Sequence, residues 1–116
     1  MTHFLAVFTG SADAMDKWKS MDIAQREAKE KAGMAAWKAW AEKNQSSIVD
    51  PGSPLGKTKR VSADGVSDVR NNLAAYTVVQ AGSHEAAARL FEQHPHFMIF
   101  PGDAVEIMEC LPMPGM

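Results

Sequence analysis

One stretch, Leu73–Leu111, decides the fold, and it reads LAAYTVVQAGSHEAAARLFEQHPHFMIFPGDAVEIMECL. Residues Ala74–Gln80 are apolar on both faces of an extended chain, which predicts a central strand. Ser83 then precedes an alanine-rich run, and its hydroxyl suits the N-cap of a helix over His84–Gln93. A second apolar run, Ala104–Leu111, predicts the last strand of the chain.

The residues N-terminal to this stretch predict one more strand and a long helical region. His3–Thr9 is also apolar on both faces, which is typical of a strand covered on both sides. The pattern over Asp13–Asn44 predicts two helices, because Asp22 and Gln25 resemble a capping pair at a fresh helix start. The apolar stripe expected to press onto the sheet consists of Met34, Trp37, Trp40 and Ala41.

A hairpin is predicted between the two halves of the chain. Ser46–Asp50 reads as a short strand, and the prolines and glycines of Pro51–Gly56 predict a fixed loop. Lys57–Ser62 and Val66–Val69 then flank Asp64-Gly65, a pair that readily takes the positive φ angles of a tight turn.

The resulting order, β-α-β-β-β-α-β, predicts a single α+β domain over residues 1–116. It suits a ferredoxin-like sandwich with an inserted β-hairpin, in which helices cover one face of an antiparallel sheet. The other face would then carry apolar residues such as Leu5, Val7 and Tyr76. Because a small domain rarely leaves a large apolar face in water, we expect a homodimer in which a second copy covers it.

Composition excludes several classes of function. The chain has 116 residues and a net charge of −2, so we expect one domain that does not bind nucleic acid. No apolar run reaches the roughly 20 residues that span a bilayer, and no basic leader precedes an apolar stretch. Cys110 is the only cysteine, which rules out an intramolecular disulfide and fits a cytoplasmic protein.

The histidines of His94-Pro95-His96 are the candidate catalytic residues. One of them could act as a general base near neutral pH. Alternatively both could reach one metal with Asp103 or Glu106, although we expect neither a metal nor a cofactor. The structural alternative is a histidine that caps the C-terminus of the preceding helix, beside a second one that holds backbone groups.

A polar cluster just before the central strand supplies the candidate ligand-binding residues. Arg70 has a planar fork that could clamp a carboxylate or phosphate. The alternative is a surface ion pair between Asp68 and Arg70, followed by turn-forming asparagines. With two aromatic residues, the expected ligand-binding set is Asp68, Arg70, Asn72, Trp37 and Tyr76.

A family resemblance follows from several short segments in order. They are Ala39-Trp40, Pro54-Leu55-Gly56, Val61, Asp64-Gly65, Val66-Ser67-Asp68, Leu73–Val79, Ser83–Ala87 and Val105-Glu106-Ile107. On these residues the chain, from about Met34 to Met113, resembles the YCII-related proteins, including their DGPF-motif branch. The resemblance implies a dimeric α/β barrel of ferredoxin-like subunits with a cleft between them.

The chain departs from that family at two places. Asp68 is followed by Val69-Arg70-Asn71, where the DGPF branch carries Gly-Pro-Phe. Gly33 and His94 stand where the YCII-like branch carries a His and an Asp proposed as its catalytic pair. Three hypotheses remain: a protein that binds a small polar or acidic molecule in a cleft, a lyase or isomerase that uses His94 or His96, and a non-catalytic interaction module.

Overall fold

The computed structural model describes residues 1–115, which form an α+β fold with an antiparallel four-stranded sheet. The strands are β1 (Thr2–Thr9), β2 (Ile48–Pro54), β3 (Thr58–Ser62), β4 (Gly65–Val69), β5 (Leu73–Ala81) and β6 (Ala104–Glu109). The helices are α1 (Ala12–Lys19), α2 (Ile23–Lys43), α3 (His84–Arg89) and α4 (Pro95–Met98), with a 3₁₀ turn at Gln45–Ser47. The sheet order is β2-β5-β1-β6, and β3 and β4 form a separate hairpin. This architecture is compatible with the expected ferredoxin-like fold.

One face of the sheet carries the hydrophobic core. Residues paired directly across antiparallel strands share a face, and Phe4 pairs with Val79 while Phe8 pairs with Ala75. The helices pack on this face through Trp37, Trp40, Ala87, Leu90 and Phe91. Burying these apolar side chains is the main favourable term that holds the helices to the sheet.

The predicted helix starts are confirmed by their caps. The Asp22 carboxylate accepts from the backbone N of Gln25, and α2 begins at the next residue, Ile23. The Ser83 hydroxyl accepts from the backbone N of Ala86 at 3.0 Å, at the start of α3. The stripe on α2 is only partly as predicted, because Met34 is 62% exposed.

The chain after α3 differs from the prediction. The helix ends at Arg89 rather than Gln93, and a new helical turn, α4, begins at Pro95 where a loop was expected. After Arg89 the backbone N atoms of Leu90, Phe91 and Glu92 donate to carbonyls three residues earlier, and Gln93 then takes a left-handed φ of 58°. Proline is well tolerated at the first position of a helix, since its missing N–H would have no helical partner there.

Strand β2 also extends further than predicted, through the segment expected to be a loop. The pairing of β2 with β5 shifts register between Asp50 and Ser53, which marks a bulge. The Asp50 carboxylate accepts from the backbone N of Gly52 at 2.8 Å, and Gly52 takes a φ of 72°. The Thr77 hydroxyl donates to the carbonyl O of Pro51 at 3.0 Å and fixes the bulge to β5.

The helical residues that pack on the core cluster within residues 1–115 lie on the Phe4 and Phe8 face, and on the opposite face Val7 is 9% exposed and Met108 is 42% exposed. Leu5 pairs with Val78 and Met108, and Val7 pairs with Tyr76, so these side chains share that face. The molecule is a slab of 54 × 43 × 18 Å with a radius of gyration of 16.2 Å. A compact domain of this length would have about 13 Å. No helix within residues 1–115 is long and apolar enough to cross a membrane.

Candidate functional site

His94 lies inside the hydrophobic core. Its side chain is fully buried, and its ring lies 4.5 Å from the Trp37 ring and 4.6 Å from the Trp40 ring, between centroids. The Nδ1 atom accepts from the backbone N of His96 at 3.0 Å. The proton of the neutral ring therefore resides on Nε2, which has no hydrogen-bond partner among the described residues.

The environment of His94 keeps its ring neutral. Burial, and then the nearby His96, lower the pKa of His94 from 6.5 to about 4. His94 also accepts from the second residue of α4, so it is the N-cap of that helix. The structural alternative raised from sequence placed the cap at the C-terminus of the preceding helix, and this position is wrong because Pro95 starts a new helix. A catalytic role for His94 remains a prediction.

His96 lies at the floor of a cleft, in contrast to its neighbour. Its Nε2 lies 2.8 Å from the carbonyl O of Thr9, and a carbonyl can only accept, so Nε2 carries the proton. In the neutral ring Nδ1 then offers a lone pair, and no donor within residues 1–115 pairs with it. Gly102 lies against the ring, where a Cβ would collide with Nε2, Cδ2 and Cε1.

The cleft has a volume of about 1470 Å³ and is lined by six of the seven predicted site residues. Those residues are Trp37, Asp68, Arg70, Asn72, Tyr76 and His96. One wall comes from α1, α2 and the loop after α4, and the other comes from the base of the β3–β4 hairpin. His94 is absent from the lining because it lies behind Phe8 and Trp37 in the core.

The end of β1 brings the two predicted polar clusters together. The carbonyl O of Thr9 binds His96, and the N of the next residue, Gly10, donates to the carbonyl O of Asn72 at 2.9 Å. Because those two Thr9–Gly10 atoms belong to one planar peptide group, the His96 Nε2 and the Asn72 O lie within about 8 Å of each other.

The ion pairs of the hairpin differ from the surface pair raised from sequence. Asp68 pairs with Lys59 at 2.7 Å rather than with Arg70, because Lys59 lies directly opposite it across the hairpin. Arg70 has no carboxylate within 4.0 Å among residues 1–115. Asn71 forms the expected turn, since its side-chain oxygen accepts from the N of Leu73 at 3.0 Å.

The charged residues of the lining give the cleft a positive charge. It contains the three cations Lys57, Lys59 and Arg70 and the single carboxylate Asp68, which is a net charge of +2. The whole chain carries −2, so positive charge is concentrated at the cleft. Within residues 1–115, no group of three His, Cys, Asp or Glu side chains is placed to hold a metal ion.

Phe100 is a lining residue that the sequence prediction missed. Its ring lies 6.1 Å from Trp37 and 5.9 Å from Trp18, between centroids. It packs against Gly33 of α2, where an added Cβ would lie 2.5 Å from the ring. A glycine inside a helix weakens the helix by about 1 kcal/mol, so Gly33 was a signal for close packing at this position.

No protein-family model matches the chain, and no curated protein sequence matches it. Among solved structures, the fold is similar to that of the 5-chloro-2-hydroxyhydroquinone dehydrochlorinase TftG from Burkholderia phenoliruptrix AC1100, in complex with 2,5-dihydroxybenzoquinone. The TM-score is 0.56 with 14% sequence identity, over 94% of this chain and 93% of that one. The similarity shows a shared fold over nearly the whole length of both chains.

Proposed function

We propose that the chain is a cytoplasmic, homodimeric α/β-barrel protein of the YCII-related type that binds a small polar or acidic molecule in the cleft. One observation carries this proposal: a cleft of about 1470 Å³ has a net lining charge of +2 in a chain of net charge −2. Such a cleft attracts anions, because its low-dielectric walls focus the field of the cations. The single cysteine, Cys110, suits a reducing compartment.

The comparison with a solved structure supports a small-molecule ligand. The dehydrochlorinase of similar fold was solved with 2,5-dihydroxybenzoquinone bound, so this architecture can hold a small oxygen-rich molecule. The sequence resemblance to the YCII-related proteins points in the same direction. The sequence resemblance also implies a dimer, since that family builds its barrel from two copies.

The shape of the chain is the physical argument for the dimer. The face that carries Leu5, Val7, Tyr76 and Val78 lies opposite the helices of residues 1–115, and the slab is only 18 Å thick. The cleft is also larger than the roughly 300–1,000 Å³ of most small-ligand sites. A second copy packed on this face would remove apolar surface from water and narrow the cleft.

Binding measurements with charge variants test the ligand proposal. Isothermal titration with a panel of small carboxylates and neutral analogues should detect binding of the acids. Arg70→Gln should weaken it by about 1–2 kcal/mol, because it removes a charged hydrogen-bond donor. Arg60→Gln is the matched control, since Arg60 belongs to the same hairpin but does not line the cleft. The proposal would be contradicted if neutral analogues bound as tightly as the acids, or if Arg70→Gln and Arg60→Gln lost the same amount of binding free energy.

An enzyme of lyase or isomerase type is the second candidate, and the tautomer of His96 favours it. The Nδ1 lone pair at the cleft floor could accept a proton from a bound substrate. Because the solved structure of similar fold is that of a 5-chloro-2-hydroxyhydroquinone dehydrochlorinase, this compound is the first substrate to test, with chloride release as the measurement. His96→Asn should abolish turnover while leaving binding within about tenfold.

The third candidate is a non-catalytic interaction module whose dimer is its whole purpose. It would form a dimer with no acid bound at any concentration tested. The same titration therefore separates it from the first two candidates.

A further inference from the structure

Resting on the proposed function, we propose that the ligand is a flat aromatic acid that also carries a hydroxyl group. The ring would lie against the wall formed by Trp37 and Phe100. The acid would meet Arg70 at the hairpin base, and the hydroxyl would donate to Nδ1 of His96. Each of the three parts follows from a separate feature of the cleft.

The wall on the helix side is built from rings held on edge. The Trp37 ring lies 5.1 Å from Phe8 at an interplanar angle of 82°, and 6.1 Å from Phe100 at 63°. Phe100 can occupy this position only because residue 33 has no side chain. Aromatic rings prefer offset or edge-to-face contact with other rings, so this wall favours a flat unsaturated ligand over a puckered one.

Two methionines extend the wall towards the solvent. Met15 is 43% exposed and Met34 is 62% exposed, and both line the cleft. Exposed methionines beside an aromatic wall provide flexible apolar surface, and their sulfur atoms make favourable contacts with ring edges. An aromatic ligand would cover this surface and gain those contacts, which an aliphatic ring of the same size cannot make as well.

The acid group of the ligand is assigned to the hairpin base because two cations there have no carboxylate partner. Lys59 is already paired with Asp68, whereas Lys57 and Arg70 have no carboxylate within 4.0 Å among residues 1–115. The guanidinium of Arg70 presents two parallel donors that match the two oxygens of a carboxylate. The two unpaired cations thus supply the polar end of the site.

The hydroxyl is assigned by the tautomer of His96. Since Nε2 donates to the carbonyl of Thr9, Nδ1 of the neutral ring can only accept. A ligand carboxylate or carbonyl facing this atom would place two acceptors together, which is unfavourable. A hydroxyl can donate to it, so the group nearest His96 is a hydrogen-bond donor.

A matched set of probes tests these parts on the wild-type protein. Isothermal titration would compare 3- and 4-hydroxybenzoate with benzoate, 4-methoxybenzoate, trans-4-hydroxycyclohexanecarboxylate and 4-hydroxybenzyl alcohol. These analogues in turn lack the hydroxyl, replace it by an acceptor, saturate the ring, and remove the acid. We expect one of the hydroxybenzoates to bind at least about tenfold more tightly than each of the four.

The outcomes separate this inference from the proposed function. If the saturated acid or the methoxy acid binds as tightly as the hydroxybenzoates, with a loss in Arg70→Gln, the ligand class is wrong and the acid-binding cleft stands. If no probe acid binds, or if Arg70→Gln and Arg60→Gln bind alike, both are wrong. If the hydroxybenzoate preference disappears in His96→Phe and the other acids keep their affinity, the assignment of the hydroxyl is supported.

Discussion

The Nδ1 atom of His94 lies 3.0 Å from the backbone N of His96, so the two histidines are connected through the main chain. One ring thereby fixes the position of the other. The His94 ring caps α4 from inside the core, and the cap orients the turn that holds His96 at the floor of the cleft. The neutral state of His94 is a condition for this arrangement, because a protonated Nδ1 could not accept.

We expect the free energy of unfolding to fall as the pH drops from about 6.5 to about 4. The folded pKa of His94 is lowered to about 4 from 6.5, so in this window the unfolded chain binds more protons. The stabilisation is complete above pH 6.5, and about 3 kcal/mol is lost when the pH reaches 4. Urea unfolding at a series of pH values in wild type and His94→Phe measures it. Parallel curves for the two proteins would show that His94 is not responsible.

Substitutions of His94 should separate the stability that its buried ring contributes from the stability that its N-cap hydrogen bond contributes. His94→Ala removes both, and we expect a loss of about 3–5 kcal/mol, as for other large aromatic residues in a core. His94→Asn keeps a capping oxygen and should lose less than His94→Ala by about 1 kcal/mol. Denaturant midpoints of the two variants give the comparison, with the exposed His3→Ala as the control. Identical midpoints for Ala and Asn would mean that the cap contributes nothing.

Gly52→Ala should be one of the most destabilising single-methyl additions in the chain. The new Cβ would collide with the backbone carbonyl of Tyr76, and Gly52 has a φ of 72°. Since the backbone of β5 cannot move aside, we expect a loss above about 2 kcal/mol. Gly56→Ala is the control, because nothing lies within 4 Å of its Cβ and its φ is ordinary. Thermal unfolding of both variants measures the difference. Similar melting temperatures would show that the bulge does not require glycine at position 52.

Met108→Lys should convert the proposed dimer into monomers without unfolding the chain. Met108 is 42% exposed on the sheet face opposite the helices, so a lysine there would remain in water in the monomer. In the dimer the same charge would be buried at the interface without a partner, which is costly. Sedimentation velocity measures the mass, and circular dichroism checks the fold. Ile23→Lys is the control, since Ile23 is 62% exposed at the start of α2. A wild-type mass of one chain at micromolar concentration would rule out the dimer directly.

The thiol of Cys110 gives an independent measure of the same interface. The thiol is exposed in the single chain. The backbone N of Cys110 donates to the carbonyl O of His3 at 3.0 Å, which extends the pairing of β6 with β1 by one residue. Cys110 therefore lies on the same sheet face as Met108, two residues away. Labelling with a thiol reagent should therefore be slow in wild type and fast in Met108→Lys. Equal rates in the two proteins would contradict burial of this face by a second copy.

Apolar runs and capping rules were sufficient to predict three strands of the sheet and the starts of α2 and α3. Runs that are apolar on both faces identified β1 and β5, a further apolar run identified β6, and Asp22 and Ser83 cap two of the predicted helices. These features depend on neighbours close in sequence, which is why local patterns are informative about them.

The features that were missed depend on contacts between distant residues. The pairing of Phe100 with Gly33 joins two segments 67 positions apart, and no local pattern specifies it. Proline is unfavourable inside a helix and favourable at a helix start, so Pro95 alone does not distinguish a loop after α3 from the start of α4. The cleft itself combines the hairpin base with the α4 loop, so its contents required the tertiary structure.

The bulge and prolines of β2 determine where another strand could be added to the sheet. β2 and β6 are the two edges, and Pro51 and Pro54 have no N–H to offer an incoming strand. At the other edge, Nε2 of His84 lies 2.7 Å from the carbonyl O of Ile107 and occupies one of its acceptors. Both edges therefore offer fewer backbone groups for pairing with another chain. Because only the His84 side chain blocks β6 within residues 1–115, we expect an aggregating chain to add its strand at β6.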